Sequence, residues 1–183
     1  DALHRLAAAG VPVVAITGRP TGWSAPLALA WPVAAIVAEN GAVLLRRQGG
    51  QLQIDFVADA ATRAAPQLRL QACAQALLAQ VPGATLAQDS AGRLTDIAID
   101  HSEFAHLDAA QIAQVVAVMR AHGLTATVSS IHINGWIGDH DKPSGARWAV
   151  QQALARPWNP AEWVYVGDST NDQAMFQAMP LTV

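Results

Sequence analysis

The stretch Trp163-Val164-Tyr165-Val166-Gly167-Asp168-Ser169-Thr170-Asn171-Asp172 decides how this chain is read. Its first four residues are β-branched or aromatic, the composition of a buried strand. A glycine follows, then an acidic, hydroxyl-rich turn, then an apolar helix expected from about Asn171 to Ala178. This is a strand–loop–helix unit with two carboxylates at the carboxyl end of the strand, where open α/β sheets bind their ligands. Asp168 and Asp172 are four residues apart, so a first helical turn holding both would set them on one side. Two hard oxygen donors beside a phosphate pocket suit Mg2+, which keeps its waters and takes only one or two protein carboxylates.

Two other stretches follow a related logic. Val14-Ala15-Ile16-Thr17-Gly18-Arg19-Pro20 ends an apolar strand in a hydroxyl, a glycine and a guanidinium. Asp141-Lys142-Pro143-Ser144-Gly145 opens a helix with a lysine, at the end of the helix dipole that disfavours a cation, so an anionic partner is expected there.

In chain order, residues 1–9 read as a helix closed by Gly10, 11–16 as a buried strand, 23–30 as a helix and 33–38 as a second strand. Glu39-Asn40-Gly41-Ala42 turns the chain into 43–46, Asn-Gly being the strongest short hairpin signal. Composition shifts at Gly49-Gly50, and 51–57 reads as a strand leaving the first domain. A long helix is expected over 60–80, with Pro66 near its first turn. A half-exposed strand over 94–100, a helix capped by Asp108, and strands over 124–128 and 130–134 complete an α+β insertion. The expected layout is an α/β, parallel-sheet core in residues 1–52 and 139–183, with the insertion at 53–138 as a second domain.

With 183 residues, 52% hydrophobic and 14% charged, the chain can bury a core and is not disordered. A net charge of −3 gives no pull toward nucleic acid or an anionic membrane, and no apolar run reaches the length of a membrane span. The single cysteine, Cys73, reads as a buried thiol and fits a reducing, cytoplasmic setting. His132, Asn134 and Trp136 alternate along a strand of the insertion and are candidate substrate contacts. The run Asp139-His140-Asp141, with His132 nearby, matches no standard zinc spacing and reads as a polar linker.

Taken together, Gly167-Asp168-Ser169-Thr170-Asn171-Asp172, Thr17-Gly18-Arg19 and Lys142 resemble the fourth, second and third motifs of the haloacid dehalogenase (HAD) superfamily. Their order and spacing resemble its IIB branch, Cof-like and sucrose-phosphate-phosphatase-like, in which a cap lies between the second and third motifs. The resemblance implies a Rossmann-like core with an α+β cap, and a Mg2+-dependent phosphatase acting on a small phosphorylated metabolite, foremost a sugar phosphate, through an aspartyl-phosphate. It implies Asp168 and Asp172 as metal residues, with Asp172 acting through water or by orienting Lys142. It implies Thr17, Gly18, Arg19, Lys142 and Asn171 as phosphate contacts, with Thr17, Lys142 and Asp172 in catalysis. Asn40 would stand beside the active site.

The family's first motif, DxDxT on a strand ahead of the first helix, supplies its nucleophile and general acid, and no such motif occurs in this sequence. Asp1 precedes a helix rather than closing a strand and is not assigned that role. In the family that strand lies mid-sheet, between the second-motif and fourth-motif strands. The chain as given is therefore expected to be an incomplete record, inactive and poorly folded by itself. The alternative is a non-catalytic phospholigand-binding or partner-binding protein on the same scaffold. A carbon–halogen hydrolase or a phosphomutase is less favoured, since the former needs no metal carboxylates and the latter carries a different cap.

Overall fold

The computed structural model describes residues 2–183; Asp1 lies outside the described residues. The chain divides into two compact units, Asp1–Val57 with His140–Gly167 and Asp172–Val183, and Ala58–Asp139 with Asp168–Asn171.

In the first unit a short helix α1 (Ala2–Ala8) leads to strand β1 (Val14–Ile16), then α2 (Thr21–Ala30) and β2 (Ala35–Ala38). β1 and β2 are parallel. β2 turns through residues 39–42 into β3 (Val43–Gln48), and β3 into β4 (Gln51–Phe56), both pairs antiparallel, in the order β1-β2-β3-β4. Ile36 and Ala38 pack with Ala28 of α2 on one face, while Ala35 and Val37 pack with Ala149 of α6 (Lys142–Leu154) on the other. Burial on both faces explains why β2 reads as an unbroken apolar run. β4 does not leave the unit, as 51–57 was expected to do. Gly49 and Gly50, at φ 59° and 81°, supply the two left-handed residues of a tight hairpin and fold β4 back along β3.

The strand expected at 163–166 is reduced to a parallel bridge between Tyr165 and Thr182, and it is not buried: Val164 is 60% and Val166 71% exposed. Backbone alternation gives the reason. Tyr165 exchanges hydrogen bonds with Leu181 and Val183, and Gly167 N–H donates to Val183 O, so Val164 and Val166 direct their backbone groups the other way. Likewise Val13 and Thr17 bond β2, through Ala34 N–H to Val13 O and Thr17 N–H to Val37 O, so Val14 and Ile16 face away from it. Among the described residues neither edge carries a further strand. The two edges flank an apolar groove lined by Val14, Ile16 and Val164 over Ala146 and Val150 of α6. The helix expected from Asn171 is a 3-10 turn over Thr170–Asp172 followed by α7 (Gln173–Ala178).

In the second unit, β5 (Thr85–Leu86), β6 (Asp96–Asp100), β8 (His132–Trp136) and β7 (Thr125–Val128) form an antiparallel sheet in the order β5-β6-β8-β7. One face holds α4 (Gln67–Gln80) and α5 (Ala109–Ala121), with Cys73, Leu77, Val115 and Met119 packed on Ile99 and Ile133. Burial pushes the Cys73 thiol up to about 11, which leaves it inert. The single helix expected over 60–80 is two, α3 (Ala60–Ala64) and α4, because Pro66 has no N–H to continue the first and instead precedes the second. No described helix is long and apolar enough to cross a membrane.

Two glycines set the closest backbone approach in the first unit. A Cβ on Gly41 (φ 116°) would lie 2.2 Å from Asp141 O, and one on Gly145 would lie 2.8 Å from Gly41 Cα and 2.9 Å from Val37 Cγ1. Gly145 is the fourth residue of α6, a helical position where alanine normally gains about 1 kcal/mol. Here the obstacle is backbone, and overpacking costs about 1–3 kcal/mol. Gly145→Ala is therefore expected to lower the melting temperature in a thermal scan, against the usual sign for a helix. In hydrogen exchange, the Val14, Ile16, Val164 and Val166 amides are expected to exchange faster than those of Ala15, Thr17 and Tyr165; equal protection would contradict the open edges.

Candidate functional site

Thr17, Gly18 and Arg19 leave the end of β1 as a loop. The Thr17 hydroxyl accepts from Arg19 N–H at 3.0 Å, which closes the loop on itself. Thr17 O accepts from Asn40 N–H, and Arg19 O from Glu39 N–H, each at 3.1 Å. The turn that follows β2 therefore holds this loop from one side. Glu39 and Asn40 sit at φ 50° and 56°, left-handed backbone that a non-glycine residue adopts only under constraint, and both are buried. The Arg19 guanidinium lies over the Trp23 ring, 5.4 Å from its centroid.

Lys142 begins α6. Asp141 caps that helix, accepting from Ser144 N–H at 2.8 Å while the Ser144 hydroxyl accepts from Asp141 N–H at 2.9 Å. The Lys142 side chain is 8% exposed, and its Nζ donates to Asp172 Oδ1 at 2.5 Å. The Tyr165 hydroxyl donates to the same oxygen at 2.6 Å. Gly167 makes room for this carboxylate, since a Cβ there would lie 2.9 Å from Asp172 Oδ2. Removing one partner of such a buried pair leaves an uncompensated charge, at about 3–5 kcal/mol. Tyr165 is a site residue that sequence reasoning missed. Its only signal is a phenol in a strand otherwise built of aliphatic residues and tryptophan.

Asp168 and Asn171 group with the second unit. Their turn is held by Ser130 N–H, which donates to Ser169 Oγ at 3.1 Å, and by the Thr170 hydroxyl, which donates to Val128 O at 2.6 Å. Asp168 is exposed and precedes the 3-10 turn, so it does not share a first helical turn with Asp172 as expected. Glycine and hydroxyl residues favour a tight turn over a regular helix start here. Among the described residues no three His, Cys, Asp or Glu side chains converge as a metal cluster. Asp168 and Asp172 are each a hard carboxylate donor, the oxygen type that suits Mg2+ completed by water rather than the N/S-rich sets of zinc.

On β8, His132, Asn134 and Trp136 share the face turned away from α4 and α5, and all three are buried. His132 and Asn134 each face an acidic side chain. His132 Nε2 is 2.8 Å from Glu103 Oε2, and Asn134 Nδ2 donates to Asp96 Oδ2 at 3.3 Å. Arg93 donates to both Asp96 oxygens, at 3.0 and 3.1 Å, and to Asp89. Burial works against the Arg93 charge, but Asp96 and Asp89 outweigh it and hold the guanidinium above its ordinary pKa. Burial also pushes the Asp100 carboxyl up, and backbone N–H donors from Glu103, Phe104, Ala105 and Ser102 outweigh it and hold Asp100 below the usual range. Arg93 and Asp96 went unnoticed in the sequence because a short arginine–aspartate spacing reads as a solvated face.

No protein-family model and no curated protein matches the chain. Solved structures do. The C. albicans trehalose-6-phosphate phosphatase C-terminal domain superposes with a TM-score of 0.70 at 16% identity, over 96% of this chain and 63% of that one. The sucrose-phosphatase of Synechocystis, solved with sucrose and phosphate, gives 0.65 at 15% identity, over 95% of this chain and 70% of that one. A haloacid dehalogenase-like hydrolase from Bacteroides thetaiotaomicron gives 0.61 at 15% identity, over 97% of this chain and 76% of that one. The chain thus spans between 63% and 76% of the length of these neighbours. Its mixed α/β architecture, with a parallel strand pair in the first unit's sheet, is the fold of haloacid dehalogenase-like phosphatases.

Proposed function

We propose that this protein is a Mg2+-dependent phosphatase that hydrolyses a small phosphomonoester, foremost a sugar phosphate, in a reducing, cytoplasmic setting. The observation that carries this reading is a lysine nearly withdrawn from water at the positive end of a helix, held to one carboxylate oxygen that a tyrosine also binds. Such a cation is costly to bury and is favoured by a second, anionic partner. The turn at Glu39–Gly41 supports the same reading, since it contacts both the Thr17 loop and the residue preceding Lys142.

Thr17, Gly18, Arg19, Asn171 and Lys142 would hold the phosphoryl oxygens, Thr17 through its hydroxyl and Lys142 as a point charge. Asp172 would orient Lys142, and Asp168 with Asp172 would hold the metal. Mg2+ would supply charge neutralisation on the transferring group. The attacking carboxylate of an aspartyl-phosphate route would come from outside these residues. His132, Asn134, Trp136 and Asn40 would contact the leaving group. The sugar-phosphate preference is supported by the neighbours named for trehalose-6-phosphate and sucrose phosphate, and rests on likeness of fold alone.

The test is phosphate release by the full-length protein with Mg2+ and a panel of phosphorylated sugars. Asp168→Asn is expected to lower the rate about 100-fold. Absence of release, or release indifferent to Asp168, would overturn the phosphatase reading. Phosphate binding without turnover would favour the non-catalytic alternative.

A further inference from the structure

Glu39 is fully buried, yet it stands at φ 50° on the turn after β2. Its Oε1 accepts two hydrogen bonds from one residue, Thr21 N–H at 2.9 Å and the Thr21 hydroxyl at 2.6 Å. Thr21 is the first residue of α2, whose own cap position, Pro20, offers no side-chain hydrogen bond. A carboxylate from 18 residues away therefore does the capping, and its charge suits the positive end of that helix. The backbone of the same turn binds the other half of the loop, Glu39 N–H to Arg19 O and Asn40 N–H to Thr17 O. Every residue from Thr17 to Thr21 that carries a loop-shaping bond to this turn is held by two adjacent residues in a strained conformation.

A second consequence follows for the anion. With the Glu39 carboxylate on the first N–H of α2, that helix end repels a further negative charge. A phosphoryl group is then directed to the loop residues and not to the helix terminus.

We propose that Glu39 is a positioning residue, which fixes the Thr17-Gly18-Arg19 loop in its anion-binding form without touching the anion. The anion-binding role of the loop rests on the proposed function; the hold of Glu39 on the loop does not. It would act through Thr21 and through the two carbonyls, Thr17 O and Arg19 O, that the turn engages.

The experiment has two readouts on the full-length protein: hydrogen exchange resolved at Gly18 and Arg19, and calorimetric titration with inorganic phosphate. Glu39→Ala is expected to speed exchange at both loop amides about tenfold and to weaken phosphate binding by a similar factor, with α6 and β3 amides unchanged. Glu39→Gln, which keeps an oxygen acceptor in place, is expected to stay within about threefold of the parent in both. Should Glu39→Ala not fold, Thr21→Val, which removes only the hydroxyl donor, is expected to give about a threefold effect at the same two amides. Unchanged loop exchange in these variants would overturn the proposal, as would acceleration spread evenly over the unit. A parent protein that takes up no phosphate counts against the phosphatase reading, while the exchange data still decide the role of Glu39.

Discussion

The first unit depends on a close contact made by backbone against backbone. Gly41 rests on the backbone of Asp141, and Gly145 rests on Gly41 Cα. A methyl group on either glycine would sit inside van der Waals contact with main-chain atoms, which cannot swing aside as a side chain can. The contact joins segments far apart in sequence, the turn after β2 and the start of α6. The turn's other face bonds the Thr17 loop. One strained turn, with three successive positive φ values at Glu39, Asn40 and Gly41, thereby sets the register between the loop at the end of β1 and the helix that presents Lys142.

That geometry allows an electrostatic arrangement that would otherwise be unfavourable. A lysine at a helix start meets the positive end of the dipole, and burial removes the water that would solvate it. Asp172 compensates on both counts, and Tyr165 donates to the same carboxylate oxygen. Ion pairs of this kind contribute little net stability compared with an apolar replacement, because desolvation offsets the attraction. What they secure is position. The Lys142 ammonium, the Asp172 carboxylate and the Tyr165 phenol limit one another to a single arrangement, and Gly167 is the small residue that lets the carboxylate approach.

Several elements of both units were legible in the sequence because their signals were local. Apolar runs without alternation marked β1 and β2, and Asp108 marked a helix start that proves to be a capping box. Lys142 and Asp172 were singled out by motif, and they are in contact. What stayed hidden was set by tertiary context. Gly145 looks like a weak helix residue until its neighbour is known to be backbone. Glu39 looks like a surface acid ahead of a turn, yet it is fully buried, and its partner Thr21 lies where no periodicity points. Arg93 and Asp96 look solvated and are instead the centre of a buried network on the second unit's sheet.

The residues at 163–166 show where composition stops being informative. Valine and aromatic residues are chosen for a pleated surface, but the preference expresses fit against neighbours and carries no statement that a neighbour is there. Val164 and Val166 have the right side chains for a central strand and are nevertheless exposed, because only the alternate residues, Tyr165 and Gly167, have a strand to bond. The same alternation divides β1, where Val13 and Thr17 bond β2 while Val14 and Ile16 face the groove. Burial in a sheet is thus a property of pairs of edges. Two half-paired edges with apolar side chains and a floor of Ala146 and Val150 make a surface that is apolar in its side chains and hydrogen-bonding in its backbone. Those two features together, and not hydrophobicity alone, explain why so apolar a run is only partly ordered into strand.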